Sequence, residues 1–257
     1  MARADSSNDF RTLKHHDEYY LTGGDLYFLV EQYLFRVHKY FFERESLYFK
    51  QELGTPASPG ETRRGSSEGN AIILKDVTHR EFAKFLWVFY NPRYSIYAAD
   101  WEDWTDILKL AQRWSFSEVK DLAIRELENL DMPDVERVHF YQEYAVDRRL
   151  LIARYAALTE RADPLTFDEG IRLGIATSLM IARARECVRS PVQAGIRSPI
   201  SPSVDADEMN VIIKDLFNIS DGPAYTPIEQ FRPSPFVKAS GGLVPTILLQ
   251  VWCSVLT

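Results

Sequence analysis

Apolar positions along the chain change period twice, and the changes divide it into parts. Leu26, Phe28 and Val30 alternate with other side chains and share one face of a short strand, and Phe35 and Val37 repeat the pattern. Only Glu31-Gln32-Tyr33 separates the two runs, so a β-hairpin is predicted. Tyr40-Phe41-Phe42-Glu43-Arg44-Glu45-Ser46-Leu47-Tyr48-Phe49 follows, with Phe41, Arg44/Glu45 and Tyr48 at helical spacing. Two short helices broken near Ser46 fit this stretch, and a strand is predicted at Ala71–Leu74.

Helical signals then run in series. Thr78-x-x-Glu81, Ser115-x-x-Glu118 and Thr166-x-x-Glu169 have the form of capping boxes. Behind them stand the stripes Phe82/Phe85/Leu86/Phe89, Val119/Leu122/Ala123/Leu127 and Ile171/Ile175/Leu179. Pro92 stops the first of these helices. Trp101, Trp104, Ile107, Leu108 and Ala111 mark another. Asp131 with Pro133 opens a helix carrying Val135, Val138 and Tyr141, and Asp147 caps one carrying Leu150, Leu151, Tyr155 and Leu158.

Three stretches lack this periodicity. Residues 1–18 are polar and charged, and are expected to form a flexible arm. Residues 52–70, containing GTPASPGETRRGSSEGN, have too few apolar groups to offset their ordering entropy and are expected to be a flexible loop insert. Residues 191–257 are expected to form a linker and low-order tail. Within them are three Ser-Pro dipeptides, open to phosphorylation, and a short amphipathic helix over Asp205–Ile219 using Val211, Ile212, Leu216 and Phe217. At the end, LVPTILLQVWCSVLT (243–257) carries no charge. It is shorter than a bilayer span, about 18 apolar residues, and contains Pro245 and Gln250. A tail anchor, a stretch docked on the domain and an unpacked tail are its alternatives.

Composition narrows the function. The 257 residues carry a net charge of −7, which argues against general nucleic-acid binding. The two cysteines, Cys187 and Cys253, form no paired spacing, so neither a disulfide framework nor a zinc site is expected, in keeping with a reducing, intracellular setting. His15-His16-Asp17-Glu18 has metal-ligand residue types, but adjacent residues do not face one centre. Gly23-Gly24-Asp25 precedes a strand, the reverse of a phosphate loop. Among the aromatics between Trp87 and Trp114, the run Asp100-Trp101-Glu102-Asp103-Trp104 is acidic, whereas a base-stacking surface needs interleaved basic residues, so core packing is expected. No nucleophile, acid–base pair or metal set emerges. A non-enzymatic chain with no cofactor and no membrane partner is expected.

GDLYFLVEQYLFRVHKYFFERESLYF (24–49) resembles the start of a BTB/POZ domain, with Asp25 opening the first strand, Val37-His38-Lys39 entering a helical hairpin, and Ser46 to Phe49 closing it. ILKDVTHREFAKFLWVFY (73–90) is similar to the family's third strand and following helix, and Trp104–Leu127 to its last helix pair. FRVHKYFFERES, FLWVFYNPRYS, LAQRWSFSEVKDLA and RADPLTFDEGIRLG resemble the wording of the expanded BTB group of mushroom-forming fungi. The resemblance covers about 19–189 and implies an α+β fold: a small mixed sheet flanked by helices over 19–130, an all-helical extension over 131–190, then the tail.

It also implies a protein-interaction module, often a homodimer joined through the helical hairpin. The candidate interface is Tyr40, Phe42, Leu47, Tyr48 and Leu53, with Phe41 and Phe49 expected among the buried residues. Asp25, His38, Ser46 and Phe49 are expected to be structural. Tyr94, Tyr97, Trp101 and Glu102 form a candidate face for other proteins. Cullin adaptors of the family usually carry an apolar-x-Glu step after the third helix; NPRYSIYAA lacks it, and no substrate-reading domain follows. A homodimerising adaptor is the leading expectation, acting in cytoplasm or nucleus. A cullin-ligase adaptor and a transcriptional regulator acting by recruitment are the alternatives.

Overall fold

The computed structural model describes residues 13–55, 62–93, 97–189, 204–220 and 222. Strands β2 (Leu26–Val30) and β3 (Tyr33–Val37) form the antiparallel hairpin, paired from Leu26↔Val37 to Val30↔Tyr33. Glu31 makes the turn with φ 55°. Strand β4 (Ile72–Leu74) runs parallel to β2, and β1 (Lys14–Tyr20) runs parallel to β3, giving the order β1-β3-β2-β4.

The helices are α1 (Lys39–Glu45), α2 (Leu47–Gly54), α3 (His79–Tyr90), α4 (Trp101–Arg113) and α5 (Ser117–Glu128) around the sheet. Next come α6 (Asp134–Glu143), α7 (Ile152–Glu160), α8 (Phe167–Leu173), α9 (Ile175–Arg189) and α10 (Ala206–Leu216).

The hairpin's inward residues Leu26, Phe28, Val30, Phe35 and Val37 are all buried, as their alternation predicts. Phe28 and Phe35 meet Phe82 of α3, whose helix starts with both bonds of the Thr78/Glu81 capping box. Glu31 adds a further acceptor there, taking a bond from the His79 amide at 3.1 Å. The core is largely aromatic. Phe28 lies 4.9 Å from Phe42 and 5.2 Å from Phe82, ring centre to ring centre, while Trp114 stands 5.8 Å from Phe82 and 5.4 Å from Phe85.

Several expectations are corrected. Within the supposed arm, residues 14–18 belong to β1; residues 1–12 lie outside the described residues. His16 explains part of this order, because its ring stacks on Phe35 at 4.5 Å and its Nδ1 accepts from the amides of Glu18 and Tyr19. The expected loop insert is also reduced. Residues 52–54 finish α2, and 62–70 make a turn whose backbone extends the sheet, with the Tyr27 amide donating to Gly65 O at 2.8 Å. Gly65 has φ +75°, and a Cβ there would stand 2.7 Å from Leu26 Cδ1, so only glycine fits. Residues 56–61 lie outside the described residues.

Ser115 does not cap α5. It has φ 55°, and the N-cap is Phe116, without a side-chain bond. Pro133 rather than Asp131 stands at the N-cap of α6, and Asp147 caps a 3₁₀ turn (Arg148–Leu151) that leads into α7. The helix expected after Thr166 is two helices, because Gly174 at φ +79° breaks it. Its face is inverted: Leu173, Thr177, Ile181, Ala184 and Val188 are buried, whereas Ile171, Ile175 and Leu179 are exposed.

Part of the expected tail is likewise packed. Helix α10, capped by Asp205, buries Met209 and Ile213, followed by buried Phe217, which stacks on Tyr155 at 3.9 Å. Val211 is exposed, and Ile212 and Leu216 are half-buried. The Ser-Pro linker (190–203), 223–242 and the apolar run 243–257 lie outside the described residues.

A buried arginine ties α6 to α5. Arg137 is 1% exposed, and its guanidinium donates to Leu127 O (2.8 Å), Leu130 O (2.8 Å) and Glu128 Oε1 (2.9 Å). Tyr141 donates to the same Glu128 oxygen at 2.6 Å. Arg137 thereby adds a second bond at Leu127 O, which already accepts the Leu130 amide, and supplies one to Leu130 O just beyond α5. Arg137→Ala removes these bonds and the buried cation that faces Glu128; urea denaturation of the full chain is expected to show a loss of about 3 kcal/mol.

Candidate interaction surfaces

The hairpin α1–α2 is held by residues distant in sequence. Asp25, just before β2, accepts the Lys39 amide at 2.8 Å and so caps α1, whose own N-cap residue, His38, makes no side-chain capping bond. The His38 amide donates to Tyr90 Oη at 2.9 Å, and its Nδ1 lies 3.1 Å from the same oxygen. Burial is the first cause that raises the Tyr90 pKa above the ordinary tyrosine value. At the break between the helices, Ser46 is 1% exposed. Its Oγ accepts the Phe49 amide (2.9 Å) and donates to Trp114 O (2.5 Å), fixing the start of α2 to the α4–α5 corner.

This clamp sorts the aromatic run. Phe42 and Phe49 are fully buried, 5.0 Å apart, and Phe42 also stands 5.9 Å from Phe116. Leu53 is buried too. Phe42 and Leu53 are therefore core residues and not interface residues, because one turn of each short helix must fill the space under the sheet. Phe41, expected to be buried, is half-buried against Phe89 and Tyr90. The exposed residues are Tyr40 (59%), Leu47 (68%) and Tyr48 (47%). Arg44 lies 4.8 Å above the Tyr40 ring and donates to its hydroxyl at 2.8 Å, orienting that ring on the surface.

The second candidate face is mostly occupied by its own packing. Tyr97 is half-buried, edge-on to Trp87 (5.3 Å) and Trp104 (5.7 Å). Trp101, also half-buried, lies 6.5 Å from Phe140 of α6 and so sits where α4 meets the extension. Glu102 is exposed in the first turn of α4, and Tyr94 lies outside the described residues. Of the described members, Tyr97 and Trp101 are half-buried and Glu102 is exposed. Among the described residues no three His, Cys, Asp or Glu side chains are placed to hold a metal, and no helix is long and apolar enough to cross a membrane.

Asp106 was not legible in advance, since a carboxylate between apolar positions of α4 looks like any solvated helix position. It borders a groove with Tyr19, Trp87, Pro92 and Asp103. Nearby, Lys109 pairs with Glu81 at 2.6 Å and Lys84 pairs with Asp103.

Two comparisons bear on these surfaces. The BTB/POZ domain family model matches residues 18–130. That segment is a BTB/POZ domain. The match spans the sheet, the clamped hairpin and α3–α5, while α6–α10 follow it as further helices. BTB domains are generally protein-interaction modules without enzymatic activity, and they typically self-associate and bind other proteins. No curated protein matches the chain.

Burial, followed by the charge of Glu81, raises the Asp106 pKa to about 6. A raised carboxyl pKa means the folded BTB domain is penalised for the charged form, so this group withdraws stability as pH rises from about 4 past 6. Asp106→Asn is expected to melt above the wild type at pH 7.5, with the difference vanishing near pH 4; thermal melts across that range check it.

Proposed function

We propose that the chain is a homodimerising BTB adaptor that joins through the exposed side of α1–α2. The observation that carries this is the division of one short hairpin. Phe42, Phe49 and Leu53 complete the core, while Tyr40, Leu47 and Tyr48 remain outside. Tyrosine carries much of the energy at protein interfaces, since it adds a large amphipathic surface at low entropic cost. The wording of the hairpin and of α3–α5 supports a place in the expanded fungal BTB group.

Function would follow from avidity. A dimer presents two copies of α6–α10, and a partner that engages both binds more tightly without any new contact. The Arg137 cluster supports this role by holding α6 against α5.

Sedimentation velocity of the full chain at micromolar concentration tests the proposal. A two-copy species is expected, and Leu47→Glu with Tyr48→Glu is expected to give folded single copies, because both positions are exposed in one copy. Phe42→Ala behaves differently, costing about 3–5 kcal/mol of stability through its cavity. A wild-type chain that sediments as a single copy overturns the reading.

A further inference from the structure

Strand β1 is the least regular part of the sheet. It pairs with β3 at Lys14↔Tyr33 and His15↔Leu34, then again at Tyr20↔Arg36, so residues 16–19 bulge opposite Phe35 alone. A side chain closes the bulge. His16 Nδ1 accepts the amides of Glu18 and Tyr19, each at 3.3 Å. The same ring stacks on Phe35 at 4.5 Å and on Tyr19 at 5.3 Å, and stands edge-on to Tyr33 at 6.1 Å. Tyr19 is the one buried residue of β1, so His16 and Tyr19 anchor the inward side of the strand.

An imidazole nitrogen that accepts N–H donors carries no proton, so the bulge requires neutral His16 with its proton on Nε2. A second proton goes to Nδ1. It turns the acceptor into a donor facing two other donors, and it charges a ring packed among aromatics. Around the ring stand Asp17 and Glu18 of β1, Tyr33 of β3 and His79 of α3, which itself bonds Glu31. Burial is the first cause that holds the His16 pKa below the ordinary histidine value of 6.5; His79 acts in the same direction, and Glu18 and Asp17 oppose it. On the outer side of β1, His15 lies 3.6 Å from Glu68, which also accepts from Tyr20 Oη, so a proton on His15 tightens its contact. His16 alone in the strand loses its bonds on protonation.

We propose that β1 is a pH-controlled latch: a proton on His16 releases Lys14–Tyr20 from the body and uncovers β3 as a sheet edge. The released strand binds that proton at the ordinary histidine value and the docked strand only at lower pH, so release is favoured as pH falls below 6.5. Since β1 is outermost in the order β1-β3-β2-β4, it leaves without parting another strand pair. Its departure opens the N–H and C=O groups of β3 to a new strand.

Hydrogen exchange of the full chain between about pH 7.5 and about pH 5, corrected for the intrinsic pH dependence of exchange and read by mass spectrometry, tests this. Protection of peptides covering 14–20 is expected to fall by up to about tenfold per pH unit below 6.5, the limit for one proton, while α3 keeps its protection. His16→Asn puts in place of the ring nitrogen an amide oxygen that accepts the same kind of bond and takes no proton, and is expected to leave β1 protection level across the range. NMR of the wild-type ring is expected to show Nδ1 bare at the neutral end and a pKa below 6.5, and it decides the matter if the variant's strand is open at every pH. Four results overturn the proposal: level protection of β1 in the wild type; a pH dependence that persists in His16→Asn; a His16 pKa at or above 6.5; and α3 losing protection together with β1, which makes the change global unfolding.

Discussion

Helices of seven and eight residues do not persist alone, since isolated helices shorter than about 12–15 residues are marginal in water. The hairpin α1–α2 therefore depends on what grips it. Phe42 and Phe49 enter the aromatic core, and Asp25, Tyr90 and Ser46 satisfy the polar groups at the helix starts. The grip on Ser46 comes from Trp114 O, and Trp114 in turn packs against Phe82 and Phe85 of α3. Sheet, hairpin and α3–α5 are thus one mutually dependent unit, and it is this unit that sets the outward residues of the hairpin on a firm base.

The same economy recurs beyond the BTB domain. Arg137 braces the end of α5, and Arg185 and Arg189 complete the end of α7, each from a later helix. Helix ends leave carbonyls without partners, and a long planar cation reaches several at once. Near the start of α8, Arg161 pairs with Glu169 at 2.6 Å, and this bond holds the Glu169 carboxyl down at about 2, far below the ordinary glutamate value. The extension is consequently joined by arginines as much as by apolar contact, with Tyr155 on Phe217 as its aromatic seam.

Much of this was legible because it is written in periodicity. The alternation in β2 and β3, the Thr78 and Thr166 capping boxes and the stripes of α3–α5 each state their own inward face. What escaped notice was written elsewhere. In β1, only Tyr19 is buried, so no alternation marks it. The turn at 62–70 is ordered by backbone bonds and a glycine rather than by apolar side chains. Gly174 resets the helical phase, so Ile171, Ile175 and Leu179 look like a core stripe and are not one. Within Tyr40–Phe49 nearly every residue is large and apolar or charged, and composition cannot say which turn faces in. The structure turns Phe42 and Phe49 inward and leaves Tyr40, Leu47 and Tyr48 outside.

The central claim is that the hairpin is divided between its own core and a second copy of the chain. Hydroxyl-radical footprinting of the full chain, with oxidation quantified at each residue, addresses it most directly. Self-association through α1–α2 predicts Tyr40 and Tyr48 oxidised far more slowly than their exposure in a single copy allows, with Phe42 and Phe49 unreactive. Tyr40 and Tyr48 oxidised at the rate expected for tyrosines exposed to that extent would contradict it.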